Sequence, residues 1–249
     1  MVRINKASLQ RAFLTLFFLF GIIVSSKIKL HKIFGLDINF SLLAIFGPVV
    51  NAFLSTPLTI LAIFGARTVQ ILAGISKARN IVSLLMYMPI FFASYYFGRL
   101  TRKSESSQRY LILIPLTCIV LFISHPIGRE VWYFSLYWTV PIIIVLISRL
   151  INHRIHDIPM IYLYALASTF VDHSVGSIMF LYAYNIPATF WNVAIPYVIV
   201  ERLLFAGGIT LVYLFLRKAI PPLREIYIFG FLVEREKEKK SQEKPLVVY

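Results

Sequence analysis

Acidic residues are scarce in this chain. Eleven Asp and Glu stand against 25 Lys and Arg, and charged residues of both signs make up only 14% of the sequence, where soluble domains carry about 25%. Cysteine is nearly absent: the single Cys118, inside an apolar segment, excludes an intrachain disulfide framework and a cysteine-based metal site, and reads as a small core residue. The signatures of common enzyme chemistry are also missing. There is no Gly-x-Ser-x-Gly elbow, no His-Glu-x-x-His and no Gly-x-Gly-x-x-Gly. Without a phosphate-cradling Gly-x-x-x-x-Gly-Lys loop, any use of ATP has to come from a partner. The chain reads as non-enzymatic, with no resident cofactor.

Apolar residues are what the chain has in abundance. They form 59% of its 249 residues, against about 45–50% in soluble domains, and the mean hydropathy is +0.78. The pattern predicts an all-α fold, a polytopic transmembrane helical bundle of six to seven spans of about 20 residues each, with no separate soluble domain. Residues 1–222 form this bundle, and 223–249 a cytoplasmic interfacial segment followed by a disordered mixed-charge tail. The net charge of +14 is spread over short segments between the apolar runs instead of forming one stripe. It therefore fits contact with anionic membrane lipids and positive-inside topology, and argues against nucleic acid as a partner.

Along the chain, Arg3, Lys6 and Arg11 precede an apolar run without a small-x-small cleavage site, so the start reads as a first membrane helix instead of a removed signal. After the basic connection Lys27, Lys29 and Lys32 comes the stretch Ile38–Ala66, interrupted by Gly47-Pro48 and Ser55-Thr56-Pro57. It reads either as one kinked helix or as two shorter helices meeting inside the membrane. Further apolar segments at 81–98, 110–124, 131–150, 158–184 and 188–216 follow. Strict alternation places the Arg99–Arg109 loop, the Arg149–Arg154 segment and the C-terminal tail on one side, which the positive-inside rule makes cytoplasmic.

Two adjacent acid–base couples stand out, Asp172-His173 and Glu201-Arg202, on the last two long apolar segments. The turn between them lies near Asn185-Ile186-Pro187, so at about 1.5 Å per residue the couples sit roughly 21 Å before it and roughly 24 Å after it, at similar depth. Ionisable groups deep in a bilayer cost about 2.5–3.5 kcal/mol each on insertion scales, so they face the interior, pair, and mark a site or path. A purely structural role is the competing reading, with Asp172 neutralising Arg202 to fix the register of two helices. Adjacent helical residues point about 100° apart, so one of Glu201 and Arg202 is expected to complete the pair and the other to face a cavity. Arg202 is expected to pair with Asp172, because its fork matches a carboxylate, leaving Glu201 for a ligand. Gly176, Ser177, Gly207 and Gly208 offer close approach or ligand room, and Trp191, Asn192, Tyr182 and Tyr184 are expected near the turn side. A carboxylate, an imidazole, a guanidinium, an amide and aromatic faces suit a planar polar small molecule. A proton relay through Asp172 and His173 uses the same residues.

Three weaker patterns complete the reading. Arg67 and Gln70 would share a helix face, with Arg67 expected to end a span and snorkel to the headgroups. His153-x-x-His156-Asp157 has metal-compatible spacing but no fourth ligand, and reads as a solvated boundary segment. A faint similarity links His125-Pro-Ile-Gly128 and its downstream Trp138-Thr-Val-Pro141 with His173-Ser-Val-Gly176 and Trp191-Asn-Val-Ala-Ile-Pro196, as internal repeats do in transporters.

The segment Ala44–Asn51, reading Ala-Ile-Phe-Gly-Pro-Val-Val-Asn, and the stretch from Ile186-Pro187 through Trp191, Ile195-Pro196, Glu201-Arg202-Leu203-Leu204 and Arg217-Lys218 resemble the substrate-capturing S components of energy-coupling factor vitamin transporters. The resemblance implies a compact helical bundle, a vitamin-like solute bound between helices, and an ATPase-driven coupling module as partner. The Ala-x-x-x-Ala docking pattern usual on the first helix of those subunits is absent here, where Phe13–Ile23 is bulky apart from Gly21; Ala62 and Ala66 carry that spacing instead. The leading expectation is thus a multi-pass cell-membrane transport subunit with substrate-binding residues Glu201, Asp172, His173, Arg202, Asn192 and Trp191. A proton- or ion-coupled secondary transporter and a non-transporting membrane scaffold are the alternatives.

Overall fold

The computed structural model describes residues 6–32, 39–77, 83, 85–102, 109–150 and 158–220. The interfacial segment and tail at 223–249 and the His153–Asp157 cluster lie outside them. Within them the fold is helical, apart from one small hairpin. Helix α1, Lys6–Lys27, leads into the antiparallel strands β1, Lys29–Lys32, and β2, Asn39–Ser41. Then come α2, Leu43–Phe46, α3, Val50–Phe53, α4, Thr56–Leu72, α5, Met88–Thr101, α6, Leu113–Ser124, α7, Pro126–Glu130, α8, Thr139–Leu150, α9, Ile158–Tyr184, and α10, Ala188–Ala219.

The long apolar stretch after the hairpin is two helical pieces, not one kinked helix. Gly47-Pro48 tightens the backbone into a short 3-10 turn, Gly47–Val49, between α2 and α3. The real break is at Leu54, which is extended at φ −110° and ψ 153°, followed by Ser55 and by Pro57 in the first turn of α4. Asn51 holds the break together from a fully buried position. Its backbone N–H donates to Ser94 Oγ at 2.8 Å, its Nδ2 to Thr59 Oγ1 at 2.8 Å, and its Oδ1 accepts from Arg102 at 2.6 Å. The segment after α1, read from the sequence only as a basic connection, carries the two strands of the hairpin and brings Phe40 back against α10, 4.8 Å from Phe205 between ring centroids.

Helix α9 is the centre of the molecule, packed along α5 and α10. Small and hydroxyl residues make this possible: Ala165, Ala167 and Ser168 are fully buried, and Ser168 Oγ donates to the Ala93 carbonyl of α5 at 2.9 Å. Apolar packing falls into two clusters. The larger joins Phe18, Val50, Ile63, Tyr96, Phe97, Ile161 and Ile209, and the smaller is aromatic, built on Phe122, Phe134, Trp138 and Trp191.

The exterior is apolar. Phe13, Phe20, Leu72, Leu211 and Phe215 are each 67% exposed or more, while Arg67, Gln70, Glu201 and Arg202 are buried. Among the described residues, three helices are long and apolar enough to cross a membrane, Gln10–Lys27, Trp132–Leu150 and Ala188–Ala219, and Leu43–Phe53, Thr56–Leu72 and Tyr110–Ser124 are shorter apolar helices. The two halves of the faint repeat fold differently: His125 caps the short helix α7 and Pro126 to Gly128 begin it, whereas His173 to Gly176 lie in the middle of α9. A Cβ on Gly128 would stand 1.9 Å from the Phe122 carbonyl oxygen, so this turn closes only with glycine.

Candidate functional site

The couples meet where the sequence places them. On α9, Asp172, His173, Gly176, Ser177 and Phe180 follow at three- and four-residue steps, which makes one helical stripe. On α10, Phe190, Trp191, Ala194, Tyr197, Val198, Glu201 and Arg202 do the same. The stripes border a half-open cavity of about 420 Å³ whose other walls are the hairpin residue Phe40, Leu43 and Ala44, and Met86, Tyr87, Pro89 and Ile90. This volume lies in the range of about 300–1,000 Å³ usual for small-molecule pockets. Its walls come from both apolar clusters, Leu43 and Ile90 from the larger, Phe134 and Trp191 from the smaller, so the cavity occupies the seam between the two cores.

Arg202 is the hub of the polar wall. Its side chain is 3% exposed, with Nη1 3.5 Å from Asp172 Oδ2 and Nη2 3.6 Å from Glu201 Oε2. Nη1 also donates to the Thr169 carbonyl at 3.3 Å, and the guanidinium carbon lies 5.4 Å and 4.9 Å from the ring centroids of Phe40 and Phe205. The expected Arg202–Asp172 pair is therefore present. Glu201 is not set aside for a ligand alone: the arginine is long enough to reach its chain neighbour as well as the facing helix, so one guanidinium lies between two carboxylates. Asp172 Oδ1 and Arg202 Nε are buried without a hydrogen-bond partner among the described residues.

His173 accepts a hydrogen bond at Nδ1 from Trp138 Nε1, 3.2 Å away, and lies against the Phe134 ring at 5.5 Å. With Nδ1 an acceptor, the imidazole is held as the tautomer whose proton sits on Nε2. Trp191 is 3% exposed and donates Nε1–H to the Ile186 carbonyl at 3.1 Å, which ties the start of α10 to the turn before it. Asn192 does not line the cavity. It is exposed and accepts from the Tyr133 hydroxyl, because the residue after an inward Trp191 is turned by about 100°. Tyr182 and Tyr184 are likewise outside, at 50% and 52% exposure. Of the small residues, Gly176 and Ser177 line the cavity, Gly208 lets Ile45 approach α10, and Gly207 has open space where a Cβ would be.

A second polar cluster departs from the snorkelling expected of Arg67. That residue is 7% exposed, and its guanidinium donates to the Ser83 carbonyl, at 3.0 Å from Nε, and to Ser76 Oγ at 2.5 Å. Gln70 beside it bridges Ser26 Oγ and the Tyr87 hydroxyl, each at 2.7 Å. The cluster thereby fixes Tyr87, a wall of the cavity. Reasoning from the sequence also missed Phe40, Phe134 and Phe180. Phe180 was legible as the continuation of the α9 stripe, whereas Phe40 and Phe134 reach the site through tertiary folding. Comparison with family models, with characterised proteins and with solved structures finds no match to this chain.

Proposed function

We propose that the chain is an integral membrane transport protein, the substrate-binding subunit for a small, vitamin-like solute held in the cavity between α9, α10 and the hairpin. The observation that carries this reading is the cavity itself. It opens between the helices of a bundle with an apolar exterior, and its wall holds Asp172, His173, Glu201 and Arg202 together with aromatic residues. A charge pair that only clamps two helices has no need of a cavity beside it, which favours the binding reading over the scaffold.

In the membrane, α1, α4, α5, α6, α8, α9 and α10 supply up to seven passes, with α2 and α3 as a half-length piece. Arg102, which hydrogen-bonds the Leu54 carbonyl at 2.9 Å, and Arg217-Lys218 at the end of α10 then fall on the cytoplasmic side. Energy for release would come from an ATPase-driven coupling module.

The test is native mass spectrometry of gently solubilised protein, combined with cellular uptake of whatever molecule it carries. A co-purifying solute whose uptake depends on this chain and on ATP supports the proposal. Protein that carries nothing and confers no uptake favours the scaffold, and uptake driven by an imposed pH gradient without ATP favours a proton-coupled transporter.

A further inference from the structure

Most of the surface that the cavity offers a ligand is apolar. Leu43, Ile90, Phe134, Phe180 and Phe190 belong to its wall. The lining residues that are themselves exposed, Met86 at 42% and Val193 at 62%, are apolar too, so apolar side chains border the opening. Several polar groups of the wall are engaged elsewhere. Arg202 and Asp172 lie 3.5 Å apart, Arg202 Nη1 also donates to the Thr169 carbonyl, and the unpartnered Asp172 Oδ1 and Arg202 Nε are buried and not at the surface a ligand meets. The Tyr87 hydroxyl donates to Gln70 Oε1 at 2.7 Å, and the Trp191 indole N–H to the Ile186 carbonyl at 3.1 Å.

Two donors on α9 have no such engagement. His173 Nδ1 accepts from Trp138, which leaves its proton on Nε2, and neither that N–H nor the Ser177 hydroxyl has a hydrogen-bond partner among the described residues. They stand four residues apart, on one face of the helix.

We infer that the cavity takes a largely apolar ring compound carrying one hydrogen-bond-accepting oxygen, with the ring against the apolar wall and the oxygen at the His173 Nε2–H and Ser177 hydroxyl. This rests on the proposed solute-binding role and names the chemical class of its substrate. Burial of the ring supplies affinity in proportion to its apolar area. The oxygen supplies selectivity, because a bound ring without an acceptor would strip both donors of water and leave them unpaired.

The test uses three ring compounds, 2-acetylnaphthalene, naphthalene and nicotinamide, in equilibrium dialysis against the full chain in lipid nanodiscs, with empty nanodiscs of the same lipid as the reference. Affinities are referred to the free aqueous compound. 2-Acetylnaphthalene is expected to bind at least about ten-fold more tightly than nicotinamide and roughly two- to ten-fold more tightly than naphthalene. Ser177→Ala and His173→Phe should each narrow the difference between 2-acetylnaphthalene and naphthalene; if the histidine variant does not fold, Ser177→Ala and the wild-type comparison decide. Gly176 lines the cavity, and a Cβ there meets only Pro89, at an ordinary 3.7 Å. Gly176→Leu should therefore fill the space and abolish 2-acetylnaphthalene binding, with Ala194→Leu filling it from α10 if that variant does not fold. Binding that survives the filled cavity, or naphthalene bound as tightly as 2-acetylnaphthalene, overturns the inference. Nicotinamide bound as tightly as 2-acetylnaphthalene overturns it too, and leaves the binding role standing. If none of the three binds, the co-purifying molecule decides: a ring compound that extracts into octanol supports the inference, and a water-soluble polar molecule overturns it. Protein that binds none of them and carries no molecule overturns the binding role as well.

Discussion

Arg202 shows how much one side chain can connect when it cannot reach water. Replacing it by glutamine leaves Asp172 and Glu201 as neighbouring carboxylates without their shared cation, and breaking such a buried pair costs about 3–5 kcal/mol. Neutralising Asp172 as well, in Asp172→Asn with Arg202→Gln, should recover only part of this, because Glu201 also loses its contact at 3.6 Å. The triple change that adds Glu201→Gln should recover more. Thermal unfolding of the solubilised variants checks the order, and a double variant already as stable as wild type would show that the Glu201–Arg202 contact contributes nothing. The couples were legible in the sequence because charges inside apolar segments have few permitted surroundings. That Arg202 serves both carboxylates was not, since the reach of a long side chain depends on the rotamer that tertiary packing selects.

The broken helix and its neighbour α5 depend on close approach. A Cβ on Gly98 would stand 2.4 Å from Asn51 Oδ1 and 2.6 Å from the Asn51 carbonyl carbon. Backbone cannot yield as a side chain does, so Gly98→Ala should destabilise the protein by about 1–3 kcal/mol. Gly207 is the control, with nothing within 4 Å of its would-be Cβ. There Ala should be neutral or stabilise by up to about 1 kcal/mol through helix propensity. Equal melting temperatures for the two variants would remove the argument for tight packing at Gly98. Asn51→Ala strips partners from Thr59 and Arg102, and should cost about 1–3 kcal/mol in the same assay; an unchanged melting temperature would mean that the break holds itself. At this scale the sequence announced the interruption through Gly47-Pro48 and Ser55-Thr56-Pro57 and left its form open, because proline and glycine mark where a helix is weak without saying how far it bends. The hairpin was illegible for a different reason: a short basic connection carries no strand periodicity, and Phe40 is drawn inward by the rings and guanidinium it meets there.

Across the whole molecule, large apolar side chains face outward and the charged cluster faces inward, which is the arrangement a bilayer favours and water opposes. The ends of the helices define two sides. Arg102 ties the end of α5 to the break before α4, while Lys27 at the end of α1 donates to the Ile75 carbonyl at 3.0 Å just beyond α4. Short turns then carry α9 to one side at Tyr184 and α10 back to the other at Lys218. With lysine and arginine gathered on the Arg102 and Lys218 side, the proposed topology puts that face in the cytoplasm. The natural thiol does not interfere with a labelling test, since Cys118 is 7% exposed, and Cys118→Ala removes it altogether. In that background, Tyr184→Cys should react with a membrane-impermeant maleimide on intact cells, and Lys218→Cys only after the membrane is opened. The reverse pattern would invert the orientation. Labelling of both positions on intact cells would mean that α10 does not cross the membrane, and the proposed transport role would fall with it.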